Sequence, residues 1–298
     1  MHAHDLREAG MIGAMRVVEG VKSTIAGLEA RYRTVAVVLA VQRKYREERA
    51  GYLAATIAYY AFLSIFPLML VLVTLLGYAL EGDPQRQRDV VDSALADFPV
   101  LGPQLQSNVH PLHGNGLALV VGIGIALWAA TGVCLALEYA FDRIWGVPSK
   151  RRASFVWARL RALAWIAVLG GVTLAGAIVG GLSSSTVSYG AAARILAVAV
   201  SLVLSFSVFL TAFRVLTSAS PTVREVLPGA LIAAFAWEVL LTIGGYYVAH
   251  QLRNASDTYG TFAFVIVLLG WLYLAATIAV LAAELNAVLA QRRQHDDV

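Results

Sequence analysis

Charge is what this chain has least of for its size: Asp, Glu, Lys and Arg make up 14% of its 298 residues, where a soluble domain carries about 25%. Cysteine is nearly absent. The single Cys134 lies in an apolar segment and cannot form an internal disulfide, so it gives no information on redox compartment. Catalytic signatures are missing too: there is no Gly-x-x-x-x-Gly-Lys phosphate loop, no His-Glu-x-x-His, no Cys-x-x-Cys and no Gly-x-Ser-x-Gly elbow. No enzyme activity and no cofactor or metal is therefore expected. A nuclease would need a carboxylate or histidine cluster for its metal or general base, and the water-facing segments offer none.

What fills the space is apolar, with 59% hydrophobic residues and a mean hydropathy of +0.69. The run Ala54 to Leu80 contains no charge at all, yet holds Tyr59, Tyr60, Ser64 and Pro67. It exceeds the ~20 residues a helix needs to cross a bilayer core. Five more segments of similar character follow, giving expected spans at about 54–80, 117–137, 160–182, 195–216, 228–249 and 262–283. None alternates with period two, which disfavours a barrel. The expected fold is an all-α integral membrane protein with six transmembrane helices. Residues 51–290 form the membrane domain, 1–50 a basic amphipathic helical segment, and 291–298 a tail.

Orientation follows from the basic residues, which accumulate on the cytoplasmic side of short flanking segments. Of 23 Lys and Arg, 19 fall in the amino-terminal segment, the second and fourth connections and the tail; only Arg86, Arg88, Arg194 and Arg253 fall in the other three loops. Both termini are thus expected in the cytoplasm, in the bacterial cytoplasmic membrane. This arrangement accounts for the basic residues without a nucleic-acid partner. No cleavable signal peptide is visible in the charge-rich first 50 residues. Leu6, Met11, Met15, Val18, Ile25 and Leu28 recur at helical spacing among basic residues, as in a helix lying on an anionic leaflet or packed on the bundle. In the long loop 81–116, His110 and His113 lack the further ligands a metal site requires.

Depth is the useful coordinate for polar groups, because ionisable side chains are costly at the bilayer centre. Glu238 lies ten residues after Pro228 and eleven before Ala249, near the midplane. At comparable depth are Tyr60, Ser64 and Pro67 of the first span, Trp128 of the second, Thr173 of the third, Ser205 and Ser207 of the fourth, and Trp271 and Tyr273 of the sixth. Of these, Tyr60, Ser64, Pro67, Glu238, Trp271 and Tyr273 are the candidate interior cleft; the same groups could instead satisfy one another between packed helices. Pro67 is expected to kink its helix, whereas Pro228 suits a first turn. Glu138, Asp142, Arg143, Arg214, Glu284 and Asn286 gather near the cytoplasmic rim, as a mutual helix clamp or as a gate. Gly176 and Gly180 form a small-xxx-small pair with Gly170, Gly171 and Gly181 nearby, and Gly244 and Gly245 are expected to loosen the fifth helix.

Four separated stretches carry a resemblance. They are Ala54 to Pro67 with Ala-Tyr-Tyr and Ser-x-x-Pro; Asp142-Arg143-Ile144-Trp145-Gly146; Pro228-Gly229-Ala230 followed by Trp237-Glu238; and Tyr259-Gly260 leading through Trp271-Leu272-Tyr273 to Ala283-Glu284-Leu285-Asn286-Ala287. In order and spacing the chain resembles the YihY/virulence factor BrkB family of bacterial inner-membrane proteins from about residue 45 to 290. It departs in having Asp142 where the family usually has Asn, and Ala282-Ala283 where Gly-Ala is usual. The resemblance implies a six-span protein of the cytoplasmic membrane, historically labelled ribonuclease BN, a label at odds with the chemistry above. Two functions are expected to compete. One is a transporter or translocase of a lipid or small envelope molecule without its own ATPase, with membrane lipids as partners. The other is a structural or scaffolding membrane protein. Either is compatible with a homo-oligomer.

Overall fold

Residues 54–79, 117–137, 160–182, 195–215, 228–249 and 262–283 of the six apolar segments each lie within one helix. The computed structural model describes residues 33–79, 116–183, 191–259 and 261–296, with side chains over 34–65, 124–125, 127–171, 198–244 and 265–294. The helices are α1 (Arg33–Glu47), α2 (Ala50–Ala79), α3 (Gly116–Ile144), α4 (Phe155–Ser183), α5 (Ala191–Val215), α6 (Val223–Tyr259) and α7 (Thr261–Asp296). A 3-10 turn at Ser149–Arg151 links α3 to α4, and no strand occurs among the described residues. Three helices hold described stretches long and apolar enough to cross a membrane: Val198–Val215 in α5, Val223–Gly244 in α6 and Val265–Gln294 in α7. Only 11% of the first of these windows is buried. Its outward face, including Val198, Val203 and Leu204, is apolar and exposed, the inverse of a water-soluble helix. The chain is a membrane protein.

α7 is the central element, in contact with α1, α2, α3 and α6, while α2 lies against α3 and α5 against α6. Alanine makes this possible. Ala276, Ala279, Ala283, Ala287 and Ala290 are buried along α7 at helical spacing, so neighbouring backbones approach closely without a hydrophobic driving force between helices. Larger side chains fill what remains. Phe141 of α3 meets Phe213 of α5 with ring centroids 5.2 Å apart; Phe209 continues to Trp237 of α6 at 6.2 Å and Trp237 to Trp271 of α7 at 5.6 Å.

One end of the bundle collects α1, the starts of α2, α4 and α6, and the ends of α3, α5 and α7, because the cross-helix hydrogen bonds and ion pairs join those termini. We call this the polar end. Local sequence builds it. Gly146 takes φ +67 and its amide donates to Arg143 O (3.0 Å), while that of Val147 donates to Asp142 O (2.8 Å). This is the Schellman stop, which needs a residue free to enter the left-handed region. At the start of α6, the Thr222 amide and hydroxyl both donate to Glu225 Oε2 (2.6 and 2.8 Å), the return arm of a capping box.

That cap corrects the expected start of the fifth span. The helix begins at Val223, so Pro228 lies inside it rather than in its first turn. Proline deprives the carbonyl four residues back of its donor. Here that carbonyl, Arg224 O, accepts from Arg293 Nη1 of α7 (3.1 Å), and the next amide, Gly229 N, donates to Asn286 Oδ1 (2.7 Å). α2 runs through position 67, but the side chain of Pro67 lies outside the described ones. The expected features of residues 1–32, of the loop 81–115 with His110 and His113, and of Gly176, Gly180 and Thr173 as side chains also lie outside them.

Candidate functional site

Ser201 and Ser205 stand four apart on α5 and therefore share a face. Both hydroxyls donate to Glu238 Oε1 of α6, at 2.9 and 2.8 Å. All three residues sit inside the apolar stretches long enough to cross, and Glu238 is half-buried between its helices. An ionised carboxylate in apolar surroundings needs donors to replace water, and two hydroxyls supply them. Chemically the arrangement can hold a negative charge or present oxygen atoms to a cation.

The other expected cleft residues are distributed over further interfaces. Buried Ser64 shares its hydrogen between Tyr60 O (2.7 Å) and Ala129 O of α3 (3.1 Å). Tyr60 lies over Gly132, whose added Cβ would stand 2.9 Å from the ring. Trp271 packs on Trp237 and against Gly244, where a Cβ would meet its Nε1 at 2.9 Å. That glycine serves close packing rather than loosening of α6. The Tyr273 and Tyr45 hydroxyls both come close to Gly51 at the start of α2. Burial, then Tyr273, raises the Tyr45 phenol above its ordinary pKa. Trp128 is exposed and covered by the Arg159 guanidinium, 3.4 Å from its ring centroid, while Ser207 returns its hydrogen to Val203 O. Depth thus identified Ser205 as a Glu238 neighbour but missed Ser201, which its spacing from Ser205 would have supplied.

The rim charges do not pair with one another as expected. Glu138 pairs with Arg161 of α4, Glu284 with Lys44 of α1 (3.7 Å), and Arg143 with Glu48 (2.9 Å), a hydrogen bond that raises the guanidinium pKa. Arg214 is exposed. Glu138 and Glu284 thus each find a base on a neighbouring element.

Asp142 and Asn286 are the most consequential of the set. Asp142, buried, accepts at Oδ1 from Thr217 Oγ1 (3.0 Å) and the Ser218 amide (2.6 Å), and at Oδ2 from Ser218 Oγ (3.1 Å). Ser218 Oγ also accepts from the Ala153 amide (3.3 Å). One carboxylate therefore fastens the end of α3 to the α5–α6 turn and the α3–α4 connection. Asn286 holds Gly229 where α6 comes so close to α7 that a Cβ at 229 would overlap Ala282 O. Gly170 and Gly171, by contrast, have open space before them.

Residues 41–298 match the family described as virulence factor BrkB. Among curated relatives, a ribonuclease-like protein, YfkH, of Bacillus subtilis (strain 168) is 31% identical over 82% of this chain and 91% of its own length. A UPF0761 membrane protein of Photobacterium profundum is 25% identical over 90% of this chain and 85% of its own. A UPF0761 membrane protein of Chromohalobacter salexigens is 28% identical over 81% of this chain and 60% of its own. No solved structure matches.

Proposed function

The chain belongs to the virulence factor BrkB family, and from that premise we propose that it is a six-span protein of the bacterial cytoplasmic membrane that moves a lipid or related envelope molecule between leaflets. It does so without hydrolysing nucleotide and without being an enzyme, with both termini in the cytoplasm. The observation that carries the reading is the Glu238 carboxylate held by Ser201 and Ser205 between two helices apolar enough to cross. A charge retained at that depth costs several kcal/mol and tends to mark a substrate or proton path. The two serine hydroxyls bind the carboxylate more strongly than a neutral acceptor of the same shape, so the charge on Glu238 bears on how α5 and α6 meet. The ribonuclease-like name of the Bacillus relative belongs to that protein.

The test is reconstitution of the purified chain in liposomes and measurement of fluorescent phospholipid transfer between leaflets. Wild type is expected to accelerate transfer over empty liposomes. Glu238→Gln and the Ser201→Ala/Ser205→Ala pair are each expected to lower the rate at least about tenfold, the loss of roughly 1.4 kcal/mol of barrier lowering, at equal incorporation. A second reading, a structural membrane protein, is favoured by the Asp142 hub and the Asn286–Gly229 contact, which serve rigidity. It predicts no transfer above empty liposomes and no effect of Glu238→Gln.

A further inference from the structure

At the polar end a groove of about 440 Å³ lies between α1 and the last turns of α7, within the range of small-molecule sites. Arg43 and Lys44 of α1 and Arg292 of α7 line it, with Glu47 the single acid; Gln291 adds a polar group and Val288 an apolar wall. Lys44 is engaged by Glu284 and Glu48, so the groove's character rests on its two guanidinium groups, Arg43 and Arg292, beside the one lining carboxylate, Glu47. α1 carries no acid in its first turn and ends on Lys44 and Arg46, so its basic side chains concentrate at this end. The wall is fixed in place: Arg292 Nη2 donates to Ala36 O (2.8 Å), tying α7 to α1, and Lys44 is held by Glu284 (3.7 Å) and Glu48 (4.0 Å).

Two of these cations are guanidinium groups, one from each helix. Guanidinium presents a planar fork of N–H donors that matches a phosphate. The groove's α7 residues, 288, 291 and 292, lie in the last turns of the stretch Val265–Gln294, whose 30 residues exceed what a bilayer core needs, and so reach the level where a headgroup would sit, while Val288 offers an apolar surface to the carbons next to a phosphate. We infer that the α1–α7 groove binds a phosphate-bearing anion, the headgroup of an anionic phospholipid or a free phosphate, through Arg43 and Arg292. The inference is independent of transport through Glu238, and its test measures binding alone.

The full chain purified in neutral detergent is titrated with phosphatidylglycerol, with phosphatidylcholine, and with inorganic phosphate, and binding is read by native mass spectrometry and thermal shift. The proteins are wild type, Arg43→Gln, Arg292→Gln and, as a control outside the groove, Arg46→Gln. For a lipid headgroup, wild type and Arg46→Gln bind phosphatidylglycerol but not phosphatidylcholine, and each groove variant loses about fivefold in affinity, the effect of ~1 kcal/mol per basic side chain. For free phosphate, inorganic phosphate binds with the same dependence on Arg43 and Arg292 and phosphatidylglycerol adds nothing. Equal affinity for both ligands in all four proteins overturns the site. If Arg292→Gln fails to fold, Arg43→Gln alone decides.

Discussion

Asp142 shows how one side chain at a helix end can fix three elements. Replacing it with alanine removes three hydrogen bonds and leaves the Ser218 amide and Thr217 hydroxyl without their acceptor; a loss of about 3 kcal/mol is expected, read as a lowered unfolding temperature in detergent. Asp142→Asn keeps the Oδ1 acceptor, and its amide can donate to the Ser218 hydroxyl. It should cost under about 1 kcal/mol. Gly229→Ala is expected to destabilise by about 1–3 kcal/mol, because its methyl group has no room against Ala282 O and Asn286. The need for these residues was only partly legible in the sequence. Asp142, Gly229 and Asn286 stood out as motif members, but Asp142 bonds the Ser218 amide 76 positions away and Gly229 bonds Asn286 57 positions away, and no local pattern encodes such a pairing. Glu238 stood out because charge at depth is expensive, whichever helix faces it.

The six apolar runs were legible as helices because each is continuous over more than five turns, and lipid leaves the backbone no alternative partner. Their ends were less so. The start of α6 was drawn to Pro228, although Thr222 and Glu225 stood in capping-box register six and three residues earlier. Glu225→Ala should therefore fray α6 locally: hydrogen exchange over residues 223–227 should quicken by about fivefold, corresponding to a lost cap of ~1 kcal/mol, while residues 238–244 stay unchanged. Uniform protection along α6 would mean that packing on α7, and not the cap, sets where the helix begins. The alanine stripe of α7 was overlooked in favour of the glycine pair at 176 and 180. In a chain so rich in alanine only the fold reveals which ones lie between helices.

At the scale of the molecule, the polar end carries the described ion pairs and, among the described residues, basic side chains of α1 and of the α3–α4 connection, the side that the positive-inside rule would place in the cytoplasm. A membrane-impermeant maleimide applied to intact spheroplasts of a Cys134→Ala background is expected to label a cysteine at Ser107, in the expected outer loop, and to spare one at Ser149, in the polar-end turn. Labelling of Ser149 with protection of Ser107 would reverse the orientation. The same background permits the most direct test of the central claim, that the Glu238 locus lies on a path rather than in a sealed helix contact. A cysteine at Ser205 is exposed to a small water-soluble thiol reagent in reconstituted liposomes, with a cysteine at lipid-facing Val203 as reference. The account predicts that Ser205→Cys reacts at least about tenfold faster than Val203→Cys; protection of Ser205→Cys equal to that of Val203→Cys would contradict it.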